Sequence, residues 1–413
     1  MAVSHPQRFP RLTFIFALAV LCLSWTCFFT ASKALAAESF PTYPCIRANV
    51  KFWENVYSRY STRQGILHDT DDLARVYAIV DLVDWKAQDA EQINSERIKM
   101  AKERVRGILA RLSTGTHPHT AEERRIAGLF PPHHHTALLQ AQENIRLQLG
   151  QSDRFYEGVL RSGKYLAQFK QMFVSQGLPP QLAYLPHVES SFNLKAGSKA
   201  GAAGLWQFTR STGKEYMTIN ELVDERYDPY IATQAAAQML KGNYEQLKTW
   251  PLALTAYNHG RAGMLRAVRE VGSYENIFRS YDQGAFKFAS RNFYSEFLAA
   301  VRVATRLGSN PRLPFERPEK TRVVRLTQDM PVNQLWTLYG VSADNFSRLN
   351  PAILSPVLKG EQAVPQGYLV RLPAASPAKI RPSHQAGQPA RAGQTTKLKP
   401  HRSTLTPPLQ QTR

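Results

Sequence analysis

The sequence predicts a mainly α protein, and three observations lead to this fold class. Apolar residues recur at a spacing of three to four through most of the chain between residues 38 and 315, which is the period of an amphipathic helix. Glycine or proline separates many of these segments, as at helix ends. No long alternation of apolar and polar residues, the pattern of a half-buried strand, is recognised before residue 320.

The first 36 residues have the pattern of an export signal. Arg8 and Arg11 precede a long apolar run, and residues 34–36 offer the small-x-small pattern that signal peptidase cleaves. We expect cleavage after this site. A retained segment would instead anchor the protein, because the apolar run is long enough to span a bilayer. In either case the rest of the chain is expected outside the cytoplasm, in the periplasm or cell envelope.

The net charge of +20 at pH 7 favours an anionic partner. Since the predicted export argues against nucleic acid, an anionic polymer of the cell envelope is the expected counterpart. Residues 374–413 contain no acidic residue and are rich in proline, glutamine, threonine and basic side chains. Such a composition cannot bury a core, so we expect a disordered basic tail that adds non-specific attraction to the envelope.

Residues 37–150 are predicted to form a helical N-terminal region. The first predicted helix, which Asp69, Thr70 or Asp71 could cap, carries apolar residues at helical spacing: Leu73, Val76, Tyr77, Val80 and Val83. A second helix is predicted over residues 93–112 and ends before Gly115. The region shows no recognisable chemistry of its own.

Histidines and cysteines in the first third of the chain could suggest a metal site or a disulfide. The histidines are His117, His119, His133, His134 and His135. Adjacent histidines beside two prolines lack the spacing that places ligands on one face of an element, so we expect a solvated turn. Of the 3 cysteines, two lie in the predicted signal, and Cys45 alone would remain. We therefore expect no metal, no cofactor and no internal disulfide.

Residues 151–316 are predicted to form a second, largely helical domain. Its first segment carries an apolar stripe that ends before Gly177: Phe155, Val159, Tyr165, Leu166, Phe169 and Phe173. Two prolines, Pro179 and Pro180, then open the helix that carries Glu189. Further short helices follow up to about residue 315.

Glu189 is the candidate catalytic group. It lies in "LPHVESSFNLKAGSKAGAAGLWQF", where apolar residues flank it and glycines allow close backbone approach. A carboxyl held against apolar groups loses hydration of its charged form, so its pKa is expected to rise from about 4.3 toward the neutral range. Such a glutamic acid can donate a proton to a leaving oxygen and later take one back.

Four motifs in the same order carry a resemblance to a known family. "ESSFN", "GAAGLWQF", "DERYDP" and "LTAYNHG" resemble soluble lytic transglycosylase domains, the goose-lysozyme-like family. "LAYLPHVESSFN" and "PLALTAYNHGRAGM" resemble more closely the membrane-bound lytic murein transglycosylase D family. The resemblance covers residues 145–310. It implies a lysozyme-like α catalytic domain, a carbon–oxygen lyase that cleaves the β-1,4 bond between N-acetylmuramic acid and N-acetylglucosamine in peptidoglycan strands.

The resemblance also assigns roles to residues of this chain. It makes Glu189 the catalytic acid and base. The residues that it assigns to substrate binding are Ser190, Gln207, Tyr257 and Asn258. Where the family usually has Met-Pro after Gln-Phe, this chain has Thr209 and Arg210, which changes the edge of one subsite.

In the family's reaction the substrate supplies its own nucleophile and forms a 1,6-anhydromuramic acid end without water. An ordinary glycosidase instead uses two carboxyl groups roughly 5–9.5 Å apart. A hydrolytic muramidase of the same fold is therefore an open alternative, in which Glu215, Asp224 or Glu225 positions water, and Asp228 could also lie nearby. A non-catalytic peptidoglycan-binding or scaffold protein is the other alternative.

Residues 321–373 are predicted to form a small β-α-α-β module. "LYGVSADNFSRLNP" and the closing "GYLVRLP" resemble a degenerate lysin motif, which is a peptidoglycan-binding unit. Its opening departs from the motif, because residues 328–331 replace the usual Gly-Asp-Thr-Leu turn with Gln-Asp-Met-Pro. Glycan binding and simple packing therefore both remain open for this module.

Overall fold

A computed structural model describes residues 40–132 and 134–374. The predicted export signal, His133 and the predicted tail beyond residue 374 lie outside the described residues. Within them the chain is mainly α, which confirms the predicted fold class. No helix in this described part is both long enough and apolar enough to cross a membrane.

The N-terminal region combines helices with a small sheet. Helix α1 (Arg47–Ser58) is followed by an antiparallel sheet with strand order β2-β1-β3. The strands are β1 (Gln64–Asp69), β2 (Val76–Asp81) and β3 (Ile145–Leu149). Three helices lie in sequence between β2 and β3: α2 (Ala90–Ser113), α3 (Ala121–Ala127) and α4 (His135–Ala141). The predicted helix over residues 93–112 is confirmed within α2.

The helix predicted around Leu73 to Val83 is wrong, because this segment contains strand β2. Tyr77 and Val80 are buried three residues apart, which is helical spacing. The strand accommodates it because the pairing with β1 is irregular at Tyr77: Val76 pairs with His68 and Ala78 with Leu67. Asp69, predicted as a possible helix cap, ends β1 and accepts a hydrogen bond of 2.6 Å from the Tyr77 hydroxyl. Pairing with β1 and packing decide the conformation of such a β-branched segment, and local periodicity does not report that pairing.

The second domain begins with two helices, α5 (Ser152–Ser162) and α6 (Leu166–Ser175). The predicted apolar stripe is therefore interrupted between residues 162 and 166. The chain segment around Glu316 crosses at this break, and a Cβ on Gly163 would lie 2.7 Å from the Glu316 carbonyl oxygen. A 3-10 helix (Pro180–Tyr184) then leads into α7 (Leu185–Glu189), the predicted carrier of the candidate acid.

The remaining helices of this domain build a single core together with α1. They are α8 (Arg210–Gly213), α9 (Pro229–Leu247), α10 (Trp250–His259), α11 (Arg261–Val271), α12 (Tyr274–Ser280) and α13 (Phe288–Gly308). One hydrophobic cluster includes residues of α1, of the helices from α5 to α7 and of those from α9 to α13. Asn49 of α1 donates a buried hydrogen bond of 2.8 Å to Asn292 of α13. Helix α1 is thus part of the core that surrounds the candidate site.

The C-terminal module has the predicted order of strand, two helices and strand, with one extra helical turn. Its elements are β4 (Thr321–Arg325), α14 (Val332–Tyr339), α15 (Ala343–Leu349), α16 (Ser355–Leu358) and β5 (Leu369–Pro373). The backbone of Leu354 donates to Leu222 at 2.9 Å, and that of Asp224 donates to Ala352 at 2.8 Å. The module therefore docks on the loop that precedes α9.

Candidate active site

Glu189 is half-buried at the end of α7, where the chain turns sharply. Ser191 and Phe192 follow with φ of 49° and 55°, a left-handed conformation that costs free energy in residues other than glycine. Arg161 of α5 donates from Nε and one Nη to the Ser191 carbonyl, at 3.2 and 2.8 Å. A Cβ on Gly158 would lie 2.7 Å from the same oxygen. Helix α5 thus clamps the turn beside Glu189.

A second turn, residues 203–208, lies against the first. The Ser190 hydroxyl contacts the Leu205 carbonyl at 2.9 Å and the Pro186 carbonyl at 3.2 Å. Gln207 has a φ of 50°, and its amide nitrogen donates to the carbonyls of Gly204 at 2.9 Å and Ala196 at 3.2 Å. Ser190 and Gln207 therefore tie main-chain segments together. Their predicted contact with substrate stays a prediction.

Gly204 must be glycine for this turn to form. Its φ is +76°, and an added Cβ would lie 1.9 Å from the carbonyl oxygen of Arg226. The neighbouring Trp206 is fully buried, and its indole nitrogen donates to the Thr233 hydroxyl at 2.9 Å. Trp206 thus belongs to the core beneath the turn.

Tyr257 and Asn258 lie at the end of α10 and are half-buried. The Tyr257 hydroxyl donates to the Trp206 carbonyl at 2.8 Å. Burial, and then the negative charge of Glu189, raise the pKa of Tyr257 well above its ordinary value, so this phenol stays protonated near the candidate acid. The Asn258 side-chain oxygen accepts from Ser290 at 3.0 Å. That bond leaves the Asn258 amide NH2 as the group suited to donate to an acetamido carbonyl.

Two residues near Glu189 were not predicted from the sequence. Tyr57 of α1 is buried, and its hydroxyl donates to the carboxylate of Glu296 on α13. Burial, and then the charges of Glu296 and Glu189, raise the pKa of Tyr57 well above its ordinary value. In the run "NFYSEFLAA", Glu296 interrupts an apolar helix face, and this pattern could have identified Glu296 from the sequence. Nothing local distinguishes Tyr57.

Three of the four carboxylates considered as second catalytic groups have other contacts. Asp224 pairs with Arg226 at 2.7 Å, and Asp228 caps α9 through the Tyr230 amide at 2.8 Å. Glu225 accepts from the Thr218 amide at 2.6 Å, and Glu215 is exposed. The first three thus stabilise the loop before α9.

His187, two residues before Glu189, is buried among aromatic rings. Its ring centroid lies 4.5 Å from Phe192, 5.1 Å from Phe155 and 5.9 Å from Tyr184. Burial, and then the positive charge of Arg161, lower its pKa to about 3, so the imidazole is neutral near pH 7. Within residues 40–132 and 134–374, no group of three His, Cys, Asp or Glu side chains could hold a metal ion.

This histidine predicts a loss of stability in mild acid. Unfolded His187 binds a proton below about pH 6.5, whereas the folded protein resists protonation down to the lowered pKa, so its contribution to stability is lost as the pH falls. Between pH 7 and pH 5 the free energy of unfolding is expected to fall by about 2 kcal/mol from this group. Urea denaturation of the wild type and of His187→Leu at both pH values measures it. An equal pH dependence in both proteins would contradict this assignment.

Comparisons with known proteins add a family match over the part of the chain that holds the site. Residues 169–278 match the family model described as "Transglycosylase SLT domain". The membrane-bound lytic murein transglycosylase D of Escherichia coli (strain K12) is 30% identical over 130 residues, which are 31% of this chain and 29% of that protein. The chain therefore matches less than a third of the length of this relative.

Two further similarities are more distant or shorter. The putative tributyltin chloride resistance protein of Alteromonas sp. (strain M-1) is 31% identical over 118 residues, which are 28% of this chain and 57% of that protein. The structure of an inactive mutant of the lytic transglycosylase Slt from Pseudomonas aeruginosa matches with a TM-score of 0.31 and 16% identity. That match covers 55% of this chain and 35% of the other.

Proposed function

We propose that the protein is a peptidoglycan lytic transglycosylase, because residues 169–278 match the model of the transglycosylase SLT domain family. It cleaves the β-1,4 bond between N-acetylmuramic acid and N-acetylglucosamine and leaves 1,6-anhydromuramic acid ends. The observation that carries this proposal is the environment of Glu189. This carboxyl ends α7 half-buried, beside the clamped turn of residues 190–192 and close to the phenols of Tyr57 and Tyr257.

In the proposed reaction Glu189 first acts as a general acid. It donates its proton to the glycosidic oxygen as the bond to the muramic acid C1 breaks, and the acetamido group of that sugar stabilises the positive charge at C1. Glu189 then takes the proton of the C6 hydroxyl of the same sugar, and the C6 oxygen bonds to C1. The proton that leaves the enzyme in the first step is recovered in the second, and no water is consumed.

One carboxylate suffices for this route because the attacking hydroxyl belongs to the same sugar ring, which makes the attack intramolecular. Asp224, Glu225 and Asp228 have contacts within the loop before α9, which supports a route without a water-activating base. Tyr257 and Asn258 are proposed to contact the sugar. Ser190 and Gln207 are proposed to shape the subsite through the turns that they hold.

We also propose where the protein acts and what it contacts. Export by the N-terminal signal would place it in the periplasm or cell envelope, where peptidoglycan strands are its partner. The basic tail would add contact with anionic envelope polymers. Membrane contact follows only if the signal segment is retained.

The chemical form of the released glycan ends distinguishes a lytic transglycosylase from a hydrolytic muramidase. Purified peptidoglycan is digested with residues 37–413 in water enriched in heavy oxygen, and the soluble fragments are analysed by mass spectrometry before and after borohydride reduction. A lytic transglycosylase is expected to give anhydro ends that contain no heavy oxygen and resist reduction. Reducible ends that contain heavy oxygen would mean a hydrolytic muramidase, and no release would favour a binding or scaffold protein.

A further inference from the structure

We infer that Tyr57 and Glu296 form a positioning pair behind Glu189, so that helix α1 of the N-terminal region supplies part of the active site. The pair favours the protonated form of the Glu189 carboxyl, which is the form that acts as the acid. This inference rests on the proposed function. It assigns roles to Tyr57 and Glu296, to which the family resemblance assigns none.

The ring of Tyr57 is fixed by a column of aromatic side chains. It stacks on Phe155 of α5 with a centroid distance of 4.6 Å and an interplanar angle of 23°. Phe155 in turn stacks on His187 of α7 at 5.1 Å. The column therefore connects α1 and α5 to the short helix that ends in Glu189, and it gives the Tyr57 hydroxyl a fixed direction.

Glu296 is held by the packing of α13 against α1. One turn before Glu296, Asn292 accepts the buried hydrogen bond from Asn49 of α1 at 2.8 Å. The hydrogen bond from Tyr57 to Glu296 thus spans the same interface between α1 and α13 that the hydrogen bond between Asn49 and Asn292 fixes.

The charges around the pair favour one direction for this hydrogen bond. Arg146 of β3 packs its guanidinium over the Phe288 ring at 4.1 Å. Burial lowers the pKa of Arg146, and the nearby negative charge of Glu296 opposes that shift. The attraction between them favours Glu296 as a charged acceptor, and the raised pKa of Tyr57 keeps its phenol as the donor.

A phenol whose single proton is committed to Glu296 can only accept a hydrogen bond from another group. Toward Glu189 it therefore offers oxygen lone pairs, which favour the protonated carboxyl over the carboxylate. The negative charge of Glu296 acts in the same direction. The charged or titratable groups packed around Glu189 and its turn are Tyr57 of α1, Arg161 of α5, His187 of α7, Tyr257 of α10 and Glu296 of α13.

Kinetics of Tyr57→Phe, Glu296→Gln and the double variant test the pair on purified peptidoglycan, in the full exported chain. Each single variant is expected to lower kcat about 10- to 100-fold with KM within about twofold of wild type, as for a misplaced catalytic group. The alkaline limb of the kcat/KM profile should move to lower pH, because the protonated form of Glu189 loses support. The double variant should lose no more than the worse single variant, because the two residues act as a unit.

Tyr294→Phe is the matched control, since it removes a hydroxyl from a buried tyrosine on α13 whose hydrogen bond goes to Pro41. It is expected to keep the wild-type kcat and pH profile. The inference is overturned if Tyr57→Phe behaves like this control, or if the losses of the single variants multiply in the double variant. A wild type that releases no glycan would overturn the proposed function and this inference together, whereas an active wild type with unaffected variants overturns the inference alone.

Discussion

Glu189→Gln is expected to lower the turnover of peptidoglycan by about 10²–10⁴-fold, the range that general acid–base catalysis contributes. Glutamine has nearly the same shape, but it can neither donate the proton to the glycosidic oxygen nor take one from the C6 hydroxyl. KM and the melting temperature should change little, because Glu189 is half-buried at a helix end and its replacement is isosteric. Soluble product release and thermal unfolding measure the two effects separately.

Glu225→Gln is the matched control for this prediction. Glu225 is also half-buried, and burial raises its pKa, but its carboxylate accepts from the Thr218 amide in the loop before α9. Its replacement is expected to change stability slightly and to leave turnover within about twofold of wild type. Equal losses of turnover in the two variants would contradict a special role for Glu189.

The helices of the second domain could be predicted from the sequence because their buried faces repeat at helical spacing. Helix α13 is an example, in which "FASRNFYSEFLAAVRVATRLG" keeps one apolar side over its whole length. The small sheet could not be predicted in the same way. Strand β1 pairs with β3 far along the chain, and β2 has buried residues at a spacing that also fits a helix. Pairing over such a separation is a tertiary property that a local pattern does not contain.

The motif around Glu189 could be recognised from residue types, but its geometry could not. Ser191, Phe192 and Gln207 adopt left-handed backbone conformations that residues other than glycine rarely adopt. Contacts made far along the chain impose them, among them the clamp of Arg161 on the Ser191 carbonyl. The same reason explains why Tyr57 was missed, since its hydrogen bond to Glu296 joins helices α1 and α13, which lie far apart along the chain.

Arg226→Met is expected to lower the free energy of unfolding by about 3–5 kcal/mol, the cost of leaving one partner of a buried ion pair alone. Arg226 is 7% exposed and Asp224 4% exposed. Their side chains form two hydrogen bonds, at 2.9 and 2.7 Å, and these bonds raise the pKa of Arg226. The remaining Arg226 nitrogen donates to the carbonyls of Gly201 at 2.8 Å and Phe208 at 3.1 Å.

This guanidinium therefore also holds both ends of the turn that Gly204 and Gln207 form. Because that turn lies against Ser190, loss of Arg226 should lower kcat as well as stability. For a domain of 150–250 residues the expected change in melting temperature is roughly 2–4 °C for each kcal/mol. Calorimetry and urea denaturation measure the stability, and product release at a temperature where both proteins remain folded measures the turnover.

Arg210→Met provides the control, since Arg210 forms an ion pair of 3.4 Å with Glu221, whose side chain is 92% exposed. Such a surface pair contributes about 0–1 kcal/mol, so its loss should barely change the melting temperature. If Arg226→Met is no less stable than Arg210→Met, the buried pair does not stabilise the loop. If Arg226→Met is less stable than Arg210→Met but keeps full turnover, the second turn (residues 203–208) keeps its shape without Arg226. The hydrogen bonds from Arg161 to the Ser191 carbonyl must then suffice to position Glu189.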